Sequence, residues 1–318
     1  MTVGPEIERA AALLRAGRLV VFPTETVYGL GANALDPVAV ARIYEVKGRP
    51  ATSPLIVHVA SVEMAQSLVT SWPEIADRLA RKFWPGPLTL VLEKKSSIPA
   101  IVTAGLSTVG LRMPAHPIAQ ALIRAAGLPL AAPSANRFTQ LSPTTADHVR
   151  ESLGDDVDLI LDGGPCQVGI ESTVLSLTGP HPVLLRPGGI SRAEIEAVIG
   201  TVATASELVT GAHPSPGMHV RHYSPRTRLL LVKEGKVPDQ GNGIYLQHQH
   251  PPSQHDVETI QMPLQAPEYA SALYDKLHQA DAVAHDWIAV DTPPGSSDWE
   301  AVNDRLRRAA ASDVIPKK

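Results

Sequence analysis

The stretch "VVFPTETVYGLGANA", residues 20–34, starts as an apolar run and then sets Pro23, Thr24, Glu25, Thr26 and Tyr28 ahead of Gly29 and Gly31. The run reads as a buried strand, and a polar cluster at its carboxyl end sits where the loops of an open α/β sheet converge on ligands. Working outward from it, residues 5–16 carry Ile7, Ala10, Ala11 and Leu14 at helical spacing, with Pro5 at the start and Gly17 at the end. "DPVAVARIYEVKG" reads as a helix with Asp36 as its cap, Pro37 in its first turn and Gly48 as its stop. "PLIVHV" and "PLTLVLEK" read as strands, with helices expected over 61–71 and 73–83 between them.

The alternation continues downstream. "TVGLRMP", "LPLAAPSAN", "DLILDGG", "ESTVLSL" and "PVLLRPG" read as strands, with helices over 116–126, "TTADHVRESLG" and "SRAEIEAVIG". This interleaving predicts an α/β catalytic domain over 1–200. Residues 201–225 lose periodicity and gain Gly, Pro, Ser and His, the composition of a linker. A smaller α/β domain is expected over 226–318, with strands at "RLLLVKEG", "GIYLQHQ" and "DWIAVDTP", a helix over 267–279 and an amphipathic terminal helix.

Composition bounds the function. The 318 residues are 44% hydrophobic and 19% charged, with net charge −4, which describes a globular chain without a strong nonspecific hold on nucleic acid. Cys166 stands alone, so no intrachain disulfide can form, and a reducing, cytoplasmic setting is expected. No apolar run approaches the roughly 20 residues a bilayer requires, so no membrane role is expected.

Several strands run into donors. Thr24 and Thr26 follow the first, Arg112 ends "VGLRMP", Ser134 and Asn136 follow "LAAP", and Arg186 precedes two glycines in "LLRPGG". Lys47 and Arg49 flank Gly48, a compact charge beside a bidentate fork, which suits a polyphosphate. Each residue also has a plainer reading. Cations complement a helix C-terminus, arginines form ion pairs at strand ends, and hydroxyls and amides satisfy local turns. Together they describe a site for a multiply charged anion with almost no paired carboxylate. No G-x-x-x-x-G-K-[ST] loop occurs, and "GLGANA" lacks the third glycine of a dinucleotide loop. No G-x-S-x-G elbow is present, and Cys166 reads as a small loop residue, so covalent catalysis is not expected. The histidines at 213, 219, 222, 248, 250 and 255 lack ligand partners at set spacing and read as surface-loop residues, so no protein metal ligand is predicted.

In order, "FPTETVYGLGANA", "YEVKGRPATSPLIVHV", "FWPGPLTLVL", "VGLRMPAHP", "AAPSANRFTQLSPTTADHV", "GIESTVLSL" and "LLRPGGIS" resemble the YrdC family over about residues 5–200. The tail "SPGMHVRHYSP" and the small domain behind it are similar to the long, two-domain form of that family, the threonylcarbamoyl-AMP synthases. The resemblance implies a twisted, open mixed sheet with a concave basic cavity, plus a Rossmann-like C-terminal domain. It implies synthesis of threonylcarbamoyl-AMP from L-threonine, bicarbonate or CO2 and ATP with Mg2+, releasing pyrophosphate. The product would pass to a transferase that modifies the adenosine beside the anticodon in ANN-decoding tRNAs, with little or no direct grip on tRNA. By the same resemblance, Thr26, His58, Arg112, the backbone at Ala132 and Ser172 surround threonine. Lys47, Arg49, Ser53, Thr108, Ser134, Asn136, Ser142 and Arg186 surround ATP, with Tyr223 folding over the nucleotide and Lys47, Arg49 and Arg186 offsetting charge in the reaction. A noncatalytic RNA-binding module is the first rival, disfavoured because aromatics are only 4%. The second is the carbamoyl-transfer domain of hydrogenase-maturation proteins, whose accompanying zinc-finger and acylphosphatase-like regions are missing here.

Overall fold

The computed structural model describes residues 4–204 and 222–311. The opening stretch forms a hairpin. Strand β1 (Val20–Phe22) pairs antiparallel with β2 (Gly29–Asn33), with Val20 opposite Gly31 and Phe22 opposite Gly29. The second arm, "GLGAN", carries none of the β-branched residues that mark a strand. Its glycine is there because Phe22 lies on it: a Cβ on Gly31 would sit 2.7 Å from a ring carbon.

The hairpin belongs to a ten-stranded mixed sheet ordered β10-β9-β8-β4-β5-β3-β6-β2-β1-β7. The other members are β3 (Ile56–His58), β4 (Leu88–Glu93), β5 (Thr108–Arg112), β6 (Leu130–Ala131), β7 (Leu159–Ile160), β8 (Thr173–Ser176), β9 (Val183–Arg186) and β10 (Ala203–Thr204). Helices α1 (Pro5–Arg15) and α5 (Pro117–Ala126) pack together on one side, where Ala10, Leu14, Leu122 and Ile123 are fully buried with Phe22. Helix α2 (Pro37–Lys47) starts where Asp36 accepts from the amides of Val38 and Ala39, as its sequence predicts. Helix α3 (Val62–Leu68) stops short of the expected 61–71, because Val69 leaves the helix to bridge Lys94 beside β4, while α4 (Glu74–Phe83) ends where 73–83 predicts. Helices α6 (Ala146–Leu153) and α7 (Arg192–Ile199) complete this part, α7 opening on a reciprocal Ser191–Glu194 capping box.

A second, wholly parallel sheet is ordered β11-β14-β12-β13, from β11 (Leu229–Val232), β12 (Gly243–Gln247), β13 (Glu258–Gln261) and β14 (Trp287–Asp291). Helix α8 (Ala266–Asp281) precedes β14, and α9 (Glu300–Ala310) ends the described chain. The edge strand β13 escapes sequence reading because Glu258, Thr259 and Gln261 are exposed and leave no apolar alternation. The two sheets share a core: Val27, Leu141 and Ile170 pack with Tyr223, Tyr269, Leu273, Tyr274 and Leu306. Within the segment expected as a linker, Ala203 and Thr204 extend the large sheet beside β9. Residues 205–221, which hold most of the expected lid, lie outside the described residues.

Candidate functional site

The loops leaving β1, β5, β6 and β9 meet at one cavity that is partly open to solvent. Thr24, Thr26, Arg49, His58, Arg112, Ala132, Ser134, Glu171, Ser172, Arg186, His222 and Tyr223 line it. Arginines 49, 112 and 186, separated widely along the chain, therefore converge on one hollow.

Arg112 is fixed on three sides. Its Nη2 donates to Glu25 Oε1 at 2.7 Å, its Nη1 to Thr26 Oγ1 at 2.9 Å and its Nε to the Gly86 carbonyl at 3.3 Å. The other Glu25 oxygen accepts the Ala115 amide at 2.9 Å. Thr24 organises the turn by donating to the Val27 carbonyl at 2.6 Å, which leaves the Thr26 hydroxyl to donate back to Thr24 while accepting from Arg112. Arg186 donates to the Ser172 carbonyl at 3.0 Å and its hydroxyl at 3.3 Å, and that hydroxyl also meets Thr89 Oγ1 at 2.8 Å. Arg49 donates to the Pro54 carbonyl at 3.2 Å beneath the Phe138 ring, and burial brings its pKa down to about 10, so it remains a cation at neutral pH.

His58 is neutral. Burial, reinforced by the charge of Arg112, pushes its pKa down to about 3, and its Nδ1 meets no partner among the described residues. An imidazole held in this form offers a polar contact without adding charge. Cys166 is outside the cavity, and burial raises its thiol to about 12, which removes it as a nucleophile.

Not every expected residue reaches the cavity. Lys47 is buried behind the wall, where its Nζ donates to the Ser134 carbonyl at 2.6 Å and to the Asn136 carbonyl. Asn136 turns inward, giving its amide protons to the Arg137 and Gln140 carbonyls. Lys47 and Asn136 thus shape the Ser134 loop from behind. Ser142 donates to Glu171 at 2.6 Å, Ser53 is buried beside Tyr44, and Thr108 lines a small neighbouring hollow that shares Leu55 and Ile56 with the main cavity.

The expectation of almost no paired carboxylate is overturned. Glu25 pairs with Arg112, and Glu171, in the cavity wall, receives Arg305 Nε at 2.7 Å and Tyr274 OH at 3.1 Å. Arg112 ends a strand in an ion pair, as its plainer reading has it, and lines the cavity as well. The surface-loop reading fails for His222 and His248, which are buried. His222 lines the cavity between Phe138 and Tyr223, and His248 packs on Tyr269 and Trp299. Positions 213 and 219 lie outside the described residues. Among the described residues no group of three or more His, Cys, Asp or Glu could hold a metal ion, and no helix is long and apolar enough to cross a membrane.

The Sua5/YciO/YrdC family model, described as Telomere recombination, matches residues 12–188, and a model described as Threonylcarbamoyl-AMP synthase, C-terminal domain, matches residues 190–311. The chain is 44% identical to the threonylcarbamoyl-AMP synthase of Bacillus subtilis over 99% of its own length and 95% of the relative's. The chain belongs to the threonylcarbamoyl-AMP synthase family. A further member, from Pyrococcus abyssi, is 52% identical over 72% of this chain and 68% of its own. The crystal structure of P. abyssi Sua5 complexed with L-threonine superposes with a TM-score of 0.89 at 42% identity, covering 96% of this chain and 94% of that one. The family's two-part architecture, a large mixed sheet with a small parallel one behind it, is the architecture described above.

Proposed function

We propose that the chain makes L-threonylcarbamoyl-AMP from L-threonine, bicarbonate or CO2 and ATP, with release of pyrophosphate. The convergence of Arg49, Arg112 and Arg186 on one cavity carries this reading, because the reaction must hold a carboxylate beside a triphosphate. Arg112, steadied by Glu25 and Thr26, takes the threonine carboxylate. Thr26, neutral His58, the Ala132 backbone and Ser172 border the rest of the amino acid. Arg49, Ser134, Arg186 and Tyr223 border the nucleotide, while Lys47, Ser53, Thr108, Asn136 and Ser142 support those walls from behind or beside.

The threonine amine, once deprotonated, adds to CO2 with loss of its second proton, or to bicarbonate with loss of water, to give a carbamate, and the carbamate oxygen attacks the α-phosphorus in line as pyrophosphate leaves. No protein nucleophile is required. Preorganised guanidinium groups stabilise the charge that builds on the phosphate oxygens. The carboxylates nearest the cavity are engaged by arginines, so Mg2+ would be held by the triphosphate rather than by the protein and would supply charge neutralisation there. The segment between the sheets is proposed as a cover that keeps water from the carbamate, with Tyr223 as its inner face. The product is proposed to pass, in the cytoplasm, to a transferase acting on the adenosine next to the anticodon in ANN-decoding tRNAs. A net charge of −4 argues against a strong direct grip on that RNA.

Incubation with ATP, Mg2+, bicarbonate and single amino acids tests the reaction. Pyrophosphate release that depends on both threonine and bicarbonate is expected, and release indifferent to the amino acid would sink the proposal.

A further inference from the structure

Glu171 stands out in the cavity wall. Its neighbours there include Arg49, Arg112 and Arg186, and a carboxylate among them subtracts from their attraction for a polyphosphate. Glu25, the other carboxylate nearby, is neutralised from within the large sheet by Arg112. Glu171 draws its partner from the other sheet. Arg305, on α9, donates Nε to Glu171 Oε2 at 2.7 Å, and Tyr274, on α8, donates to the same oxygen at 3.1 Å. Ser142 holds Oε1 at 2.6 Å.

Arg305 is itself built in. It is 1% exposed, its Nη1 rests on Asp304 at 2.8 Å, and its guanidinium carbon lies 5.3 Å from the centre of the ring of Tyr223, a residue of the cavity lining. A buried carboxylate is costly without such a partner, and in a weakly screening interior its field reaches the whole cavity. Glu171 also lies within electrostatic reach of Arg186, so two guanidinium groups act on one carboxylate.

We propose that Arg305 is a positioning residue for the nucleotide: it holds and neutralises Glu171 on the side of the small sheet, so that the seating of α8 and α9 sets the positive potential of the cavity. This rests on the ATP-dependent reading above and gives the small domain a defined part in it. Losing Arg305 frees a negative charge beside Arg186, which weakens ATP binding. Binding of ATP in turn favours the seated arrangement of the two sheets by the same factor.

The test compares the full-length chain with Arg305→Met, Arg305→Lys and the double variant Arg305→Met/Glu171→Gln, reading ATP binding by calorimetry and the KM for ATP from pyrophosphate release. Arg305→Met is expected to weaken ATP about tenfold, equivalent to about 1.4 kcal/mol. The double variant, with the stranded charge removed, is expected to regain ATP affinity to within about threefold of wild type, as is the charge-conserving Arg305→Lys. A purely structural role predicts that the double variant is no better than the single one, and that result overturns the proposal. Should Arg305→Met not fold, the double variant and Arg305→Lys still decide: a tenfold loss of ATP affinity in either refutes it. Wild type that binds ATP but shows no rescue defeats this inference alone, whereas wild type that binds no ATP defeats the functional reading beneath it.

Discussion

At the scale of single residues, the site rests on guanidinium groups whose geometry is set by their partners. Arg112 spreads the bonds of its planar guanidinium fork over Glu25, Thr26 and Gly86 while lining the cavity. Lysine keeps the charge but cannot reproduce the fork. Arg112→Lys is therefore expected to raise the KM for threonine about tenfold or more, with a smaller change for ATP, measured by pyrophosphate release at varied threonine. Lys47 offers a second case. Burial first, then the charges of Arg49 and Arg137, lower its pKa well below the ordinary lysine value, yet its Nζ ties two carbonyls of the Ser134–Asn136 loop. Lys47→Met strands both carbonyls and is expected to cost about 2–3 kcal/mol in urea unfolding, with activity falling because Ser134 shifts. The cations of the site were legible in the sequence because each follows an apolar strand or a helix stop. Their partners were not. Glu25 lies 87 residues from Arg112 and Glu171 lies 134 from Arg305, and nothing local in the chain announces such a pairing.

At the scale of elements, the same contrast holds. Helix α2 was readable from Asp36, Pro37 and Gly48, because caps act through neighbouring backbone. Strands β2 and β13 were not, since their residues are dictated by Phe22 overhead in one case and by an exposed edge in the other. The loop after β9 shows how closely elements meet at the cavity. A Cβ on Gly188 would lie 2.4 Å from the Glu171 carbonyl oxygen and from backbone atoms of Ser172 and Thr173, and backbone cannot swing aside as a side chain can. Gly188→Ala must then part the segment bearing Arg186 from the segment bearing Glu171 and Ser172. A loss of about 1–3 kcal/mol in stability is expected, together with lower activity, by thermal unfolding and pyrophosphate release. Gly179→Ala, whose Cβ would meet only the His181 carbonyl at 3.8 Å, should change neither.

At the scale of the whole molecule, the two sheets are joined by an apolar core and by a pair of histidines. His148 on α6 and His278 on α8 stack with ring centres 3.8 Å apart, one from each side of the junction. The His148 Nδ1 accepts the Thr144 amide, and His278 Nε2 meets the Ser142 carbonyl, next to the hydroxyl that holds Glu171. Burial, then the charge of His148, lowers the His278 pKa to about 4, and burial lowers that of His148 as well. Around them Asp147, Glu151 and Asp275 act on His148, and Asp281 and Arg226 on His278, yet burial dominates both. Because the folded pKa of each lies below the ordinary value near 6.5, the unfolded chain takes up protons first as the pH falls. The stabilising contribution is complete above pH 6.5 and is lost progressively between there and about pH 4. Urea unfolding followed by tryptophan fluorescence should therefore show stability falling as the pH drops from 7 to 5. His278→Gln, which has no proton to gain, should flatten that slope at the cost of some stability at pH 7. The same slope in both proteins would mean that the stacked imidazoles do not couple the junction to acidity.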